Sequence, residues 1–323
     1  MTKTIKNIGV FTSGGDAPGM NASLYAIIKA ASLKNITITG IWQGYDGMVD
    51  ASFTHLHPKN LAPHVHQGGT IIKTSRSPRF LTLKGRIKAA KNLKKAKIDA
   101  LIAIGGDGTF RGLMALKEIC DIPTIGIPGT IDNDMMGTDY TLGFDSAVNT
   151  AINAIDNIRD TAESHNRIFL VEVMGRDSGY IAINSGLCTA ADGILIPESK
   201  KDQVLLLNKL QHFKNRESLI IVVAEGDETG AIVMAEKIKA INKKVDVRIT
   251  ILGHIQRGGN PTAFDRLLGI RLGVAALDEV LKGTTNVMAG LLNNKITFTP
   301  FEKVVKQHKV QTELKELVEL FSR

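Results

Sequence analysis

Short apolar runs alternate with helical patterns along almost the whole chain, and this alternation restricts the folds that the chain can adopt. Runs such as "KNIGVFT", "IDALIAI" and "SLIIVVAEG" carry apolar residues at both odd and even positions, as strands do when helices cover both faces of a sheet. Between the runs, apolar residues recur at every third or fourth position; the stretch 145–164 carries Val148, Ile152, Ile155 and Ile158. The pattern predicts an α/β protein built on mostly parallel sheets.

The number of strand-like runs predicts two domains. About eleven runs are more than one open sheet holds comfortably, so we expect two doubly wound, Rossmann-like, three-layer domains. In such folds, ligands bind beyond the carboxyl ends of the strands. Polar motifs follow the runs at these points, and we expect them to face an active site in the cleft between the domains: "SGGDAPGMN", "GGDGT", "PGTIDND", "MGRDSG", "AEGDE" and "GHIQRGG".

Composition narrows the classes of ligand. The 323-residue chain is 43% hydrophobic, so it is neither disordered nor fibrous. Its formal charge of +8 favours anionic ligands, but only 5% of its residues are aromatic, which leaves little for base stacking; we expect no nucleic-acid partner. Much of the charge lies in 84–97, predicted as a surface helix that exposes its lysines and buries Ile87, Ala90, Leu93 and Ala96.

The first residues, the lengths of the apolar runs and the cysteines indicate where in the cell the protein is expected. The first residues lack a signal-length apolar segment, and no apolar run approaches membrane-spanning length. We therefore expect a cytoplasmic protein with no membrane partner. Cys120 and Cys188 show no pairing pattern, and we expect both to be reduced and buried.

Two glycine-rich segments have the form of phosphate-binding loops. In "FTSGGDAPGMN" (11–21), Gly14 and Gly15 allow backbone N–H groups to approach a phosphate at a helix start; the alternative is a tight structural turn. "AIGGDGTF" (103–110) adds Asp107 to such a loop. A lone carboxylate repels phosphate unless Mg²⁺ bridges them, so we favour a metal role over a capping role for Asp107.

"PGTIDND" (128–134) places Asp132 and Asp134 just after a predicted strand, with no Lys or Arg close in sequence. Phosphoryl transfer to an alcohol needs a carboxylate that orients the hydroxyl and accepts its proton. On an extended segment the two carboxylates point to opposite sides, so one is predicted to face the hydroxyl and the other to support the metal. The alternative is a cluster that only shapes the loop.

Cations follow later strands. Arg167, Arg176, Arg248 and Arg257 stand near predicted strand ends, and His254 lies among them. Each arginine alone is more often a surface charge, but four at strand ends point to a phosphorylated substrate, because a guanidinium binds phosphate with paired hydrogen bonds.

The chain resembles the bacterial ATP-dependent 6-phosphofructokinases of glycolysis from about residue 5 to beyond residue 280. The resemblance rests on long motifs in the same order: "TSGGDAPGMN", "IGGDG", "PGTIDND", "GTDYTLGFDSA", "VEVMGR", "LIPE" and "LGHIQRGG". It implies transfer of the ATP γ-phosphoryl group to the 1-hydroxyl of fructose 6-phosphate, with Mg²⁺, in a homotetramer. It also implies an ATP-binding domain at 1–142 plus about 258–305, and a fructose 6-phosphate-binding domain at 143–257 plus about 306–323.

The resemblance also implies roles for single residues. Asp132 matches the base, Thr130 and Arg176 match the groups on the transferring phosphoryl group, and Asp107 matches the Mg²⁺ ligand. The residues that match the ATP site are Gly15, Arg76, Ser77, Gly106, Asp107, Gly108 and Thr109. The residues that match the sugar-phosphate site are Thr130, Asp132, Met174, Gly175, Arg176, Glu225, His254 and Arg257, with Arg167 and Arg248 reaching it from a neighbouring subunit.

Two glycines favour ATP over pyrophosphate. In a related pyrophosphate-dependent branch, an Asp stands at the position of Gly108 and a Lys at the position of Gly129; the Asp fills space that the α-phosphate and ribose of a nucleotide need. "GGDGT" also occurs in NAD kinases and diacylglycerol-type kinases, but these lack the other motifs. A further alternative is a nucleotide-sensing subunit without catalysis; the presence of Asp107, Asp132 and Arg176 argues against it.

The resemblance also implies a second site, which binds the effectors ADP or phosphoenolpyruvate and in which several residues differ from those usual in the family. Arg159, Lys214, Arg216 and Asp192 are retained, whereas Tyr25, Lys29 and Pro58 stand where the family usually has arginines, and "TAAD" (189–192) replaces a Gly-Gly pair. We expect weakened control, unless His55 or Lys59 supplies the missing charge. The His-rich segment 55–66 is predicted to be solvent-exposed, with a metal site as the alternative.

Overall fold

A computed structural model describes residues 4–199, 201–211, 213, 218–304 and 310–321. The chain divides into two compact units. The first unit comprises Met1–Ile131, Met135–Asp145 and Arg257–His308, and the second comprises Asp132–Asp134, Ser146–Gln256 and Lys309–Arg323. The assignment of ATP to one domain and of sugar phosphate to the other stays a prediction.

The described residues form eleven strands, as many as the sequence pattern predicts. They are β1 Asn7–Ser13, β2 Thr37–Ile41, β3 Phe53–His55, β4 Ala100–Gly105, β5 Thr124–Pro128, β6 Ile168–Val173, β7 Gly193–Leu195, β8 Leu219–Ala224, β9 Val247–Ile251, β10 Val287–Leu292 and β11 Lys295–Pro300. The first unit holds a seven-stranded sheet of order β11-β10-β5-β4-β1-β2-β3, and the second holds a four-stranded sheet of order β7-β8-β6-β9.

Twelve α-helices lie among these strands in the described part of the chain. They are α1 Met20–Leu33, α2 Tyr45–Asp50, α3 Pro58–Leu61, α4 Leu83–Lys95, α5 Asp107–Lys117, α6 Phe144–His165, α7 Tyr180–Cys188, α8 Lys201–Gln211, α9 Gly230–Ile241, α10 Ala263–Leu281, α11 Phe301–Val304 and α12 Thr312–Phe321. Short 3₁₀ turns occupy Ala62–His64 and Gly253–Arg257. Among the described residues, no helix combines the length and apolar character needed to cross a membrane.

Both sheets are mostly parallel, which confirms the predicted α/β fold class. Only the edge strands β3 and β11 run antiparallel to their neighbours, β2 and β10. The second sheet is parallel throughout its described strands. Parallel strands bring their carboxyl ends to one edge of a sheet, so the motifs that follow β1, β4 and β5 share one edge in the first unit.

Helices cover both faces of the first sheet. Leu101 and Ala103 of β4 pack with Phe110 of α5 on one face, and Ile102 and Ile104 point to the other face and are fully buried. There α10 packs against β4, β5 and α1. Continuous burial along β4 accounts for its unbroken apolar sequence.

Three expectations about burial were wrong in part. Strand β9 is only partly buried: Ile249 and Ile251 are 39% and 54% exposed, because β9 is an edge strand. Helix α4 buries Leu93 as expected, but it also buries Gly85 and Ala89, whereas Ile87 is 51% exposed. On this helix, Asn92 donates to the Met48 and Val49 carbonyls of α2.

The two cysteines are unpaired, as expected, but neither is fully buried. Cys120, after α5, is half-buried, and Cys188, at the end of α7, is exposed.

Candidate active site

The loop between β4 and α5 is a backbone cradle at a helix start. Strand β4 ends at Gly105, Gly106 precedes the helix, and α5 begins at Asp107. The Thr109 hydroxyl donates to the Ser13 carbonyl of β1 at 3.1 Å, which ties the loop to the neighbouring strand. N–H groups at a helix N-terminus attract anions. The loop can therefore bind a phosphate through its backbone, while the Thr109 side chain is buried and supports the loop.

Asp107 has the environment of a magnesium ligand. Its Oδ2 accepts a hydrogen bond from Arg111 Nε at 2.9 Å, whereas its Oδ1 is buried and has no hydrogen-bond partner among the described residues. The described residues hold no cluster of three or more His, Cys, Asp or Glu side chains suited to a metal. Mg²⁺ commonly binds one or two carboxylates together with substrate phosphates and water, so a single Asp107 carboxylate fits this ion.

Gly108 and Gly129 differ in the space around them. A Cβ built on Gly108 meets no atom within 4 Å, so the helix start opens onto free space. A Cβ on Gly129 would lie 2.8 Å from Met20 Cε and 3.0 Å from Ile104 Cγ2. The first position leaves room for a large ligand, and the second cannot take a lysine without movement of its neighbours.

The first glycine loop lies against an arginine that was expected elsewhere. Arg257 belongs to the first unit, and its Nη1 donates to the Asp16 carbonyl at 3.3 Å. Its guanidinium occupies the space that a Cβ on Gly15 would need. The resemblance pairs Arg257 with the sugar phosphate, and here the side chain contacts the loop predicted to hold ATP.

The segment with Arg76 and Ser77 is held by a carboxylate that sequence reasoning missed. Arg76 is exposed. The Ser77 hydroxyl donates to Asp46 Oδ1 at 2.5 Å, so it supports the segment. Asp46 lies about thirty residues earlier in the chain, in a short helix without a motif, and no sequence signal marked it.

Asp132 is almost fully buried beside an arginine. Its side chain is 2% exposed, and its Oδ2 lies 3.4 Å from Arg176 Nε, both residues being in the second unit. The predicted extended geometry of "TIDND" was wrong: Asn133 has a φ of +51°, so the segment bends between the two aspartates. Thr130 lies in the first unit, where its carbonyl accepts a hydrogen bond from the Thr141 hydroxyl at 2.6 Å.

The loop that carries Arg176 is braced by three side chains. Gln256 Oε1 accepts from Met174 N at 2.8 Å, and Glu225 Oε1 accepts from Gly175 N at 3.3 Å and Arg176 N at 2.8 Å. Arg176 has a φ of +52°, an uncommon backbone region for a side chain other than glycine. Sequence reasoning missed the bracing residues Gln256 and Glu198, although both stand inside the quoted motifs; Glu198 Oε1 accepts from Gly179 N at 2.9 Å.

Arg167 and Arg248 converge on one carboxylate. Asp246 Oδ2 lies 2.6 Å from Arg167 Nε, and Asp246 Oδ1 lies 3.0 Å from Arg248 Nε. The hydrogen bond from Arg167, followed by that from Arg248, lowers the Asp246 pKa below its ordinary value despite an opposing effect of burial. The pairing of β6 with β9 brings the two arginines together. His254 is exposed in the same unit.

The candidate effector residues are only partly available. Arg159 Nη2 donates to the Thr189 carbonyl at 2.5 Å and to the Ala190 carbonyl at 3.3 Å, and Asp192 Oδ2 accepts from Ile220 N at 2.8 Å. Tyr25 and Lys29 lie on α1 in the first unit, half-buried and exposed respectively. Lys214 and Arg216 lie outside the described residues.

The His-rich segment carries no evident metal site among the described residues. His55, His57 and His66 are exposed, as expected, and His64 is half-buried with its Nδ1 2.7 Å from Gln67 Oε1.

A doubly wound unit with a glycine loop at a helix start, and a second unit with arginines beside its strands, define an α/β phosphotransferase. The family model for phosphofructokinase matches residues 7–280. The chain belongs to the phosphofructokinase family.

Bacterial relatives match nearly the whole chain. ATP-dependent 6-phosphofructokinase 1 of Thermus thermophilus is 48% identical over 309 residues, which cover 94% of this chain and 95% of that protein. ATP-dependent 6-phosphofructokinase of Cytophaga hutchinsonii is 46% identical over 319 residues, covering 98% and 97%.

Solved structures agree with the fold. Phosphofructokinase from Saccharomyces cerevisiae is similar with a TM-score of 0.85 and 33% identity; the match covers 98% of this chain and 47% of that chain, so this chain spans about half of the yeast subunit. Pyrophosphate-dependent phosphofructokinase from Marinobacter aquaeolei is similar with a TM-score of 0.84 and 20% identity, covering 98% of this chain and 91% of that one. At that identity the likeness concerns the fold alone.

Proposed function

We propose that this chain is an ATP-dependent 6-phosphofructokinase that transfers the γ-phosphoryl group of ATP to the 1-hydroxyl of fructose 6-phosphate. The products are fructose 1,6-bisphosphate and ADP. The open space at Gly108 carries the choice of donor, because a nucleotide needs room there for its α-phosphate and ribose. Gly129 supports the same choice, since it brings no lysine that would bind pyrophosphate.

The first unit binds ATP in this proposal. Backbone N–H groups of Gly106 and Gly108 at the start of α5 hold the phosphates, and Arg76 adds a charge from an exposed position. Asp107 would hold Mg²⁺, and its buried Oδ1, which has no hydrogen-bond partner among the described residues, fits that role. When bound, the ion supplies positive charge to the nucleotide phosphates.

Asp132 orients the sugar 1-hydroxyl and accepts its proton. Arg176 holds the carboxylate in position at 3.4 Å and, because its side chain is half exposed, also presents a guanidinium for the transferring phosphoryl group. Thr130 lies two residues before Asp132 in the same segment, and in this proposal it contacts the transferring phosphoryl group. The second unit binds the sugar phosphate through Met174, Gly175, Glu225, His254, Arg167 and Arg248.

We further propose a cytoplasmic homotetramer in which Arg167 and Arg248 serve the site of a neighbouring subunit. Both guanidinium groups contact Asp246, and the Arg248 side chain on the edge strand β9 is half exposed, which supports this arrangement. A guanidinium that bonds to a carboxylate through Nε keeps other N–H groups for a second anion.

The test is a coupled assay of the purified protein with fructose 6-phosphate and Mg²⁺, comparing ATP with pyrophosphate at equal concentrations. We expect turnover with ATP and little with pyrophosphate. Faster turnover with pyrophosphate would contradict the choice of donor. Absence of fructose 1,6-bisphosphate with both donors would contradict the proposed reaction.

A further inference from the structure

The side chain of Asp46 collects four hydrogen bonds from one short segment of the first unit. Its Oδ2 lies 3.2 Å from the Ser75 hydroxyl, which shares its one proton between Asp46 and the nearer Gln43 carbonyl at 2.8 Å. Its Oδ1 accepts from the Ser77 hydroxyl at 2.5 Å. Arg79 donates to Oδ1 from Nε at 3.2 Å and from Nη2 at 3.0 Å. One carboxylate on α2 therefore fixes three alternate residues of 75–79.

Arg76 lies between two residues that contact Asp46. Ser75 and Ser77 donate to Asp46, and Arg76 is exposed. Asp46 thus holds the segment on both sides of Arg76 in sequence and leaves the Arg76 side chain accessible to a ligand.

A second carboxylate contacts only Arg79 of this segment, from a half-exposed position. Asp50 Oδ1 and Oδ2 accept from Arg79 Nη1 and Nη2 at 2.9 and 2.7 Å. Burial acts to raise the Asp46 pKa, but hydrogen bonds from Ser77, Arg79 and Ser75 outweigh it, and the pKa lies below its ordinary value. The Asp46 carboxylate is therefore charged at neutral pH. The hydrogen bonds that it accepts are of the stronger, charge-assisted kind.

The neighbouring residue of α2 reaches the other phosphate-binding loop. The buried Tyr45 hydroxyl donates to the Thr109 carbonyl at 2.5 Å, and its ring stacks on Phe80 with centroids 4.0 Å apart. Consecutive residues of one helical turn thus connect the 75–80 segment to the start of α5. The relative position of Arg76 and the helix start depends on this turn.

We propose that Asp46 is a positioning residue for nucleotide binding, which sets the 75–79 segment so that Arg76 reaches the ATP phosphates. The proposal rests on the proposed function, because it takes ATP as the ligand of the first unit. Asp46 itself is occupied by Ser75, Ser77 and Arg79, so it acts through the segment and does not touch the ligand.

The experiment compares Asp46→Asn with wild type by calorimetric titration of Mg²⁺ and ATP, without sugar phosphate. We expect the dissociation constant of ATP to rise about fivefold to tenfold, less than for the loss of a charge-assisted hydrogen bond to the ligand itself, because Asp46 acts only through the segment. In steady-state assays, the KM for ATP should rise while kcat and the KM for fructose 6-phosphate stay within about twofold. Asp46→Glu should recover part of the affinity, because it restores the charge.

The matched control is Asp50→Asn, which removes only the outer carboxylate from Arg79 and should leave ATP affinity within about twofold of wild type. Equal ATP affinity in Asp46→Asn and wild type would overturn the proposal, as would equal losses in the affinities for ATP and fructose 6-phosphate. If Asp46→Asn fails to fold, the same titrations are made with Arg79→Gln. Unchanged ATP affinity in this variant would overturn the proposal. Weakened ATP affinity with unchanged fructose 6-phosphate affinity would support it.

The titration separates this inference from the proposed function. A wild-type protein that binds ATP but does not phosphorylate fructose 6-phosphate would contradict the reaction and still allow Asp46 to be judged by ATP affinity. A wild-type protein that binds no ATP would contradict both.

Discussion

The candidate anion sites of the two units are built from different chemical groups. In the first unit, the loop from Gly105 to Gly108 offers backbone N–H groups at the start of α5, and what makes room for a ligand is the absence of side chains. In the second unit, the groups are guanidiniums, and each depends on acidic partners: Arg167 and Arg248 on Asp246, and Arg176 on Asp132. The first loop depends on local sequence, whereas the second set depends on contacts between distant residues.

This difference has consequences for substitutions. A backbone cradle has no side chain to remove, so it is disturbed by adding bulk at glycine. A side-chain site loses a defined charge when one residue is truncated. The following predictions test whether the second unit behaves as a set of separable charged groups, beginning with the largest expected effect.

Asp132→Asn should lower kcat by about 10²–10⁴-fold, the usual contribution of a general base. The carboxamide keeps the shape of the side chain but cannot accept the proton of the sugar hydroxyl. Affinity for fructose 6-phosphate should change much less, as measured by equilibrium binding. A kcat within about threefold of wild type would remove Asp132 from the chemical step. Asp134→Asn, the neighbouring acid, is the control and should have a smaller effect.

Arg167→Ala and Arg248→Ala should each raise the KM for fructose 6-phosphate by about tenfold or more, because a charged hydrogen bond contributes about 1.5–3 kcal/mol. The KM for ATP should stay close to wild type, since we propose that the first unit binds the nucleotide. Mixing either variant with an Asp132→Asn protein tests the sharing of sites between subunits. If neither mixture ever changes the kinetics, the sharing of these arginines is wrong.

The sequence allowed the first loop to be predicted better than the second. "GGDGT" sits at the end of a buried strand, and both its conformation and its location follow from local glycine and helix signals. By contrast, Asp246 was not recognised, because its role depends on the pairing of β6 with β9. Gln256 and Glu225 likewise act on the backbone of a loop about 50 to 80 residues away, and no periodicity reports such a contact.

The bend at Asn133 and the orientation of α4 were missed for a related reason. Residues 128–134 look extended in sequence, but Asn tolerates a positive φ and the chain turns there. In α4, alanines and one leucine leave two possible buried faces, and contact with α2 selects the one with Ala89 and Leu93. Tertiary contacts decide where local preferences are weak.

Two buried aspartates, one in each unit, extend the comparison of the two units to the stability of the protein. Asp265 in the first unit is fully buried, and its Oδ1 accepts from Gly143 N at 2.8 Å. Asp202 in the second unit is 2% exposed. Burial, and then the charges of Glu319 and Asp227, raise the Asp202 pKa. We expect Asp202→Asn to stabilise the protein by about 1 kcal/mol near neutral pH, since an ionised buried carboxylate is costly, and Asp265→Asn to destabilise it.

The raised pKa of Asp202 also determines how the stability difference between Asp202→Asn and wild type changes with pH. A carboxyl with a raised folded-state pKa favours folding while it is protonated, and this contribution is lost as pH rises from the unfolded value of about 4 through the folded value. The advantage of Asp202→Asn over wild type should therefore be larger at neutral pH than in acid and shrink as pH falls toward about 4. Thermal unfolding between these values measures it. An advantage that grows on acidification would show that the Asp202 carboxylate is stabilised in the folded state.

The smallest expected effect is the response to ADP and phosphoenolpyruvate. We propose that the effector site is weak, because Tyr25 and Pro58 replace cations and each charged contact contributes about 1.5–3 kcal/mol.

The retained groups of the effector site are also engaged in contacts within the chain. Arg159 donates to the Thr189 and Ala190 carbonyls, and Asp192 accepts from Ile220 N. Ala190 has a φ of +49°, so the backbone keeps a conformation suited to glycine, but a methyl group now stands where a diphosphate would approach. A ligand shifts a conformational equilibrium only through its differential binding, so weak binding gives weak control.

The measurement is a set of fructose 6-phosphate saturation curves with and without each effector. Tyr25→Arg is the matched variant, expected to increase the response to ADP. Strong activation by ADP together with sigmoidal inhibition by phosphoenolpyruvate in wild type would show that the effector site is intact and that Tyr25 and Pro58 do not weaken it.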